Sequence, residues 1–295
     1  MRDFKIIADS CSDLSAENRK KYDIDYALMN FVYDGNEYIA SLDWEEYSPR
    51  EFYDLMRNGK IVKTTQVPGE RFIETFNKYV EEGKDVLYLA CSSGLSGSIS
   101  TATMIGKEIM EQHPEAKIIC IDTLISGMGQ GMICVKAAEM KAEGKSIEEI
   151  AEWIETNKLC FNQFGTVEKL DYLRRAGRVK AAAAFFGNIF GVKPIIISDT
   201  KGNNFAMKKV KGRKASFAEL VSQMKDVIIN PEEQIIYLDH ADCMEDALIV
   251  KEMILNEIKC KDVYISYIGP TVGASVGPGT IIIYCYGKEV TVCGD

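Results

Sequence analysis

The chain has 295 residues and a formal charge of −9, with 46 % hydrophobic and 27 % charged residues. This make-up suits a water-soluble globular protein of one large domain or two ordinary ones. It carries no long basic block, which argues against nucleic acid or an anionic membrane as a bulk partner. Nine cysteines occur, none spaced Cys-x-x-Cys. Without close Cys/His pairs a zinc site is disfavoured, and no metal or cofactor is expected. Cys91, Cys120 and Cys285 lie in apolar, strand-like runs, as small buried thiols do, and a reducing cytoplasm is the simplest compartment. Met1 to Lys5 does not open a signal peptide. The longest apolar stretch, Ala181 to Val192, is too short for a transmembrane helix, so stable membrane insertion is not expected.

In chain order, Phe4 to Ala8 reads as a buried first strand running into the polar turn Asp9-Ser10-Cys11-Ser12-Asp13-Leu14. Ser15 then caps a helix to about Tyr22. Ligands of open α/β sheets bind outside such strand ends, which makes Asp9 and Ser10 candidates to support a site. Tyr26 to Tyr33 reads as a second strand, with a turn at Asp34-Gly35-Asn36 and a returning strand Glu37 to Ala40. Ser48-Pro49-Arg50-Glu51 is a helix start with cap, proline and capping acid. The hydroxyl-rich loop Lys63 to Gly69 precedes a helix to about Glu81.

Val86 to Cys91 reads as a buried strand. It is followed by Ser92-Ser93-Gly94-Leu95-Ser96-Gly97-Ser98 and a helix from Thr103 to Gln112, with Ser96 or Ser98 as its cap. Unpaired amides at a helix start attract an anion, and Gly94 and Gly97 allow close approach to the backbone. An ordinary capped turn needs fewer hydroxyls and glycines than this stretch carries. With the Thr64-Thr65 loop it can converge on one anion.

Lys117 to Asp122 is a further strand. A glycine-rich turn from Thr123 to Gly131 then opens a helix to about Glu143, with Met128 and Met132 as core residues. Ser146 and Glu149 frame another helix start. The strand–helix alternation implies a mostly parallel α/β layer over residues 1–160. Residues 161–295 read as a mixed α/β domain. It carries Arg174, Arg175 and Arg178, then a small-residue helix Ala181 to Phe186 and a strand Pro194 to Ser198. The strand Phe205 to Val210 follows, and Lys208 to Lys214 form a solvated basic hairpin or loop. The helices Ser216 to Ile228 and Met244 to Ile258 alternate with the strands Gln234 to Asp239 and Val263 to Ile268. Last come a rigid loop Gly269 to Gly279 and a hairpin of Thr280 to Tyr286 with Val290 to Cys293.

The arginines suit bidentate pairing with carboxylate or phosphate, or charge balance against Glu168 and Asp171. A serine hydrolase is the rival reading, with Ser96 as nucleophile and His240 as base. However, Gly94-Leu95-Ser96-Gly97 places the glycine one residue too early for the hydrolase elbow. A phosphate-binding regulatory module is a third reading. Neither a P-loop nor a dinucleotide fingerprint is present.

Together these stretches resemble the DegV family of bacterial lipid-binding proteins, which includes the fatty-acid-binding subunit of fatty acid kinase. The resemblance is carried by Asp9 to Leu14, Thr64-Thr65-Gln66-Val67-Pro68, Ser93 to Gly97, Asp122 with Gly127-Met128-Gly129, Leu173 to Arg178, Val192 to Ile195 and Gly277-Pro278-Gly279. It implies a two-domain α/β protein that encloses one long-chain fatty acid between its domains and is itself no enzyme. The carboxylate is expected on Thr64 and Ser96, with Thr65, Gly97 and Ser275 beside them. Arg174, Arg175 and Arg178 are expected in the head-group network or in docking a kinase partner. In kinase-linked members the partner phosphorylates the bound carboxylate with ATP. Ser275 stands where the family commonly carries His, so that position holds no cation near neutral pH. Gly69 after Val67-Pro68 is a smaller departure.

Overall fold

The structure is a computed structural model describing residues 2–180 and 191–294. Strand β1 (Phe4–Asp9) is buried throughout and leads to helix α1 (Ala16–Lys21), whose cap Ser15 accepts from the Asn18 amide. Next come β2 (Ile24–Ala27), β3 (Asn30–Tyr33) and β4 (Asn36–Ile39). Helix α2 (Pro49–Arg57) starts in a complete capping box of Ser48 and Glu51, followed by the short β5 (Lys63–Thr64) and α3 (Gly69–Glu81). The pattern continues with β6 (Asp85–Ala90), α4 (Ser98–Gln112), β7 (Ile118–Asp122), α5 (Met128–Ala142) and α6 (Ile147–Asn157), the last again opened by a capping box.

Then follow β8 (Phe161–Thr166), α7 (Leu170–Ala176), β9 (Val179–Lys180), β10 (Val192–Ser198), β11 (Asn204–Lys211) and α8 (Arg213–Val227). The chain closes with β12 (Ile235–His240), α9 (Met244–Glu257), β13 (Asp262–Tyr267), α10 (Pro270–Val276) and β14 (Ile281–Tyr286).

The fold is α/β. Among the described residues, β2-β1-β6-β7 form an all-parallel sheet, while β13-β12-β14-β8-β10-β11-β9 form a mixed one. A small antiparallel sheet, β4-β3-β5, stands beside them. One apolar core runs from the parallel sheet across to Phe161, Ile196 and Tyr284 of the mixed one, with Tyr172 of α7 and Val276 of α10. A second core packs α8 and α9 on the mixed sheet through Phe217, Leu220, Val250 and Ile254. Aromatic pairs stitch the seam. The Trp44 ring lies 6.2 Å from Tyr267, and Trp153 lies 6.3 Å from Phe161 and 6.5 Å from Tyr286. Among the described residues no helix is long and apolar enough to cross a membrane.

Several expectations need correction. Tyr26 to Tyr33 is not one strand: Ser10 Oγ accepts from the Met29 amide at 2.9 Å, breaking the run so that β2 and β3 join different sheets. Helix α4 begins at Ser98 rather than Thr103, and its cap is Gly97, with no side-chain cap bond. The turn after β7 ends at Gly127, so Met128 to Gly131 already belong to α5, with Met128 and Met132 buried as expected. Strand β8 was not expected. Gly269 to Gly279 contains the helix α10 rather than a loop. Among the described residues no hairpin follows β14, because the Val290 amide donates to Leu159 O instead. Lys208 to Lys214 lie on β11 and the start of α8, where Lys208 pairs with Glu219 and Arg213 with Asp246. The helix expected over 181–186 lies outside the described residues.

Candidate functional site

The site forms where β1 and β6 end side by side. Asp9, fully buried, accepts from the Cys11 amide at 2.9 Å, the Cys91 amide at 2.9 Å and the Tyr88 hydroxyl at 2.7 Å. One carboxyl therefore ties two neighbouring strand ends together, and burial raises its pKa. The loop after β6 turns on Ser92, whose carbonyl accepts from the amides of Leu95 and Ser96.

The second hydroxyl-rich loop meets the first directly. Pairing of Thr64 with Phe31 in the small sheet positions its start. The Val67 amide donates to Ser98 Oγ at 3.1 Å, Ser98 Oγ lies 2.9 Å from Ser96 Oγ, and Gln66 Nε2 donates to Thr101 Oγ1 at 3.2 Å. This contact requires Gly97, because a Cβ there would overlap the Gln66 amide oxygen. Helix α10 closes the third side.

These elements enclose a cavity of about 210 Å³ lined by Thr64, Thr65, Ser96, Gly97, Ser275 and Arg178, with Cys11, Met29 and Cys91 also in its wall. Six of the eight residues singled out from sequence thus share one cavity. The other two do not line it. Arg175 lines an adjoining outer cleft of about 530 Å³ together with Lys60 and Lys63, and that cleft shares Thr64, Arg178 and Ser275 with the cavity. Arg174 pairs with Asp171 at 3.2 Å on the surface. Inward, a further chamber of about 30 Å³ shares Ser126, Asn204, Val272 and Val276 with the cavity and is otherwise mainly apolar. The site thus grades from a basic exterior through a hydroxyl-rich waist to an apolar end.

Sequence reasoning missed Thr271, Ser126 and Asn204. Thr271 Oγ1 is buried, lines the cavity and has no hydrogen-bond partner among the described residues. A helical reading of the 269–279 segment would have revealed it, since Thr271 and Ser275 stand four residues apart on one face.

Behind α10 lies a buried acid pair. Asp13 accepts from the Gly269 amide at 2.9 Å, just before α10, and does not cap its own helix. Asp239 accepts from Ser266 and from the Met128 amide, at the start of α5. Burial pushes Asp239 up to about 7, and burial with Asp239's charge pushes Asp13 well above the carboxylate range.

The structure does not assemble a Ser96–His240 pair. His240 does not line the cavity; its Nδ1 accepts from the Cys243 amide at 3.1 Å, and burial lowers its pKa to about 4. Among the described residues no group of three or more His, Cys, Asp or Glu side chains could hold a metal ion.

The family described as "Uncharacterised protein, DegV family" matches residues 3–288. The chain belongs to the DegV family. It is 39 % identical to a DegV domain-containing protein of Clostridium perfringens, over 97 % of this chain and 98 % of that one. A DegV lipid-binding protein from Thermotoga maritima superposes with a TM-score of 0.83 at 27 % identity, covering 98 % of this chain and all of that one. A second Thermotoga maritima protein, described as revealing a fatty-acid-binding function, gives a TM-score of 0.83 at 26 % identity and the same coverage. A fatty-acid-binding DegV protein from Thermus thermophilus, at 24 % identity and a TM-score of 0.88 over 98 % of this chain and all of that one, shares the fold.

Proposed function

We propose that this DegV protein is a carrier that buries one long-chain fatty acid, with the carboxylate on Thr64 and Ser96. Thr65, Gly97, Ser275 and Thr271 complete the head-group cradle. The observation that carries the reading is the convergence of two hydroxyl loops and the start of α4 on one cavity that continues into an apolar chamber. Hydroxyls and helix-start amides suit a carboxylate, and apolar walls suit an alkyl chain, each buried methylene contributing about 0.8 kcal/mol. Arg178 bridges the cavity and the outer cleft, and with Arg175 it faces an incoming acidic group.

In this reading catalysis belongs to a partner: an ATP-dependent kinase subunit docks over the cleft and phosphorylates the carboxylate presented at its base. Native mass spectrometry of the purified protein, followed by solvent extraction, tests the binding step. One bound species of fatty-acid mass is expected, depleted in Thr64→Ala and Ser96→Ala. A protein that arrives empty and takes up no added fatty acid overturns the reading.

A further inference from the structure

Thr166 ends β8 at the inner chamber. The residue is 0 % exposed, and its Oγ1 has no hydrogen-bond partner among the described residues. Around it the chamber walls are apolar, with Val167, Leu173, Ile196 and Ile282. Folded proteins leave few buried hydroxyls unpaired, because the lost contact with water goes uncompensated. Gln163, Asn204 and Thr280 in the lining are already engaged. Gln163 Nε2 donates to Asn204 Oδ1 at 2.7 Å, and Thr280 Oγ1 donates to the carbonyls of Val276 and Gly277 at 3.0 and 2.9 Å. A plain alkyl chain entering this space would cover the Thr166 hydroxyl and leave it unpaired.

The chamber shares Ser126, Asn204, Val272 and Val276 with the head-group cavity, so a chain anchored at Thr64 and Ser96 that runs inward passes Thr166. We infer that the acyl chain this site is built for carries a hydroxyl, and that Thr166 is the specificity residue that hydrogen-bonds it. The ligand class is then a hydroxylated long-chain fatty acid, an inference that rests on the fatty-acid reading of the cavity. A water on Thr166 is the competing occupant, and a ligand hydroxyl replaces its hydrogen bond where a methylene cannot.

The test titrates the delipidated full-length protein with stearic acid and with a positional series of monohydroxystearic acids. One isomer is expected to bind about five- to tenfold more tightly than stearic acid. That advantage should vanish in Thr166→Val and survive in Thr166→Ser, with a cooperative thermal unfolding transition in both variants reporting an intact fold. If no isomer exceeds stearic acid, or if the preference persists in Thr166→Val, the inference falls while the fatty-acid reading stands. If neither stearic acid nor any hydroxystearic acid binds, both fall.

Discussion

The buried acid pair makes a quantitative demand on stability. Asp239 is held up from the ordinary 3.8 to about 7 by burial, so the folded chain keeps a proton that the unfolded chain releases. The stabilisation from that proton is complete below the unfolded value. It is lost at about 1.4 kcal/mol per pH unit as pH rises towards the folded value. Between pH 5 and 7 the loss is about 2 kcal/mol, a sizeable share of a typical domain's stability. Asp239→Asn removes the titration and also relieves the charge acting on Asp13. Urea unfolding of both proteins at pH 5, 6, 7 and 8 is the assay. The wild-type advantage over the variant should shrink by about 3 kcal/mol from pH 5 to 8, with most of the change before pH 7. Parallel stability–pH profiles would refute the assignment of a raised, buried carboxyl to Asp239.

Other expectations test the scaffold of the cavity. Asp9→Ala strips the acceptor from two amides and a tyrosine hydroxyl in the core. It should cost about 3 kcal/mol or more by chemical denaturation. Gly97→Ala puts a Cβ into the Gln66 amide, the movable end of a side chain. Fatty-acid affinity should fall severalfold in a lipid-binding titration, while the denaturation midpoint barely moves. Gly273→Ala drives a Cβ into the Tyr53 hydroxyl, which donates to Ile268 O at 2.6 Å. Displacing α10 in this way should lower both thermal stability and fatty-acid affinity.

What was legible in the sequence followed from local chemistry. The capping boxes at Ser48 and Ser146, the strand at Phe4 and the make-up of each hydroxyl loop all rest on residues close together in the chain. The misses share a different cause. Phe161-Asn162-Gln163-Phe164-Gly165-Thr166 shows neither alternation nor an apolar run, yet it forms an inner strand of the mixed sheet. Its buried amides are satisfied from far along the chain, Asn162 at Lys288 O and Gln163 at Asn204. The glycines and prolines of 269–279 read as loop because their reason is tertiary. Gly273 is small so that α10 can sit against Tyr53, and Pro270 occupies a helix start, where its missing N–H costs nothing. Tyr26 to Tyr33 read as continuous because the interruption comes from Ser10, sixteen residues before Tyr26. Thr271 and Thr166 escaped notice because an unpaired hydroxyl is a property of surroundings, not of sequence.

The aromatic pairs along the seam give the protein a built-in optical gauge. The chain has two tryptophans, and each sits against a ring from residues 161–286, Trp44 near Tyr267 and Trp153 near Phe161 and Tyr286. Any movement that parts the two sheets to admit a long chain must change the polarity around at least one of them. Emission from single-tryptophan variants, Trp44→Phe and Trp153→Phe, therefore reads the two contacts separately. A shift from one reporter alone would locate the hinge at the other, and a shift from both would mean that the sheets separate as a whole.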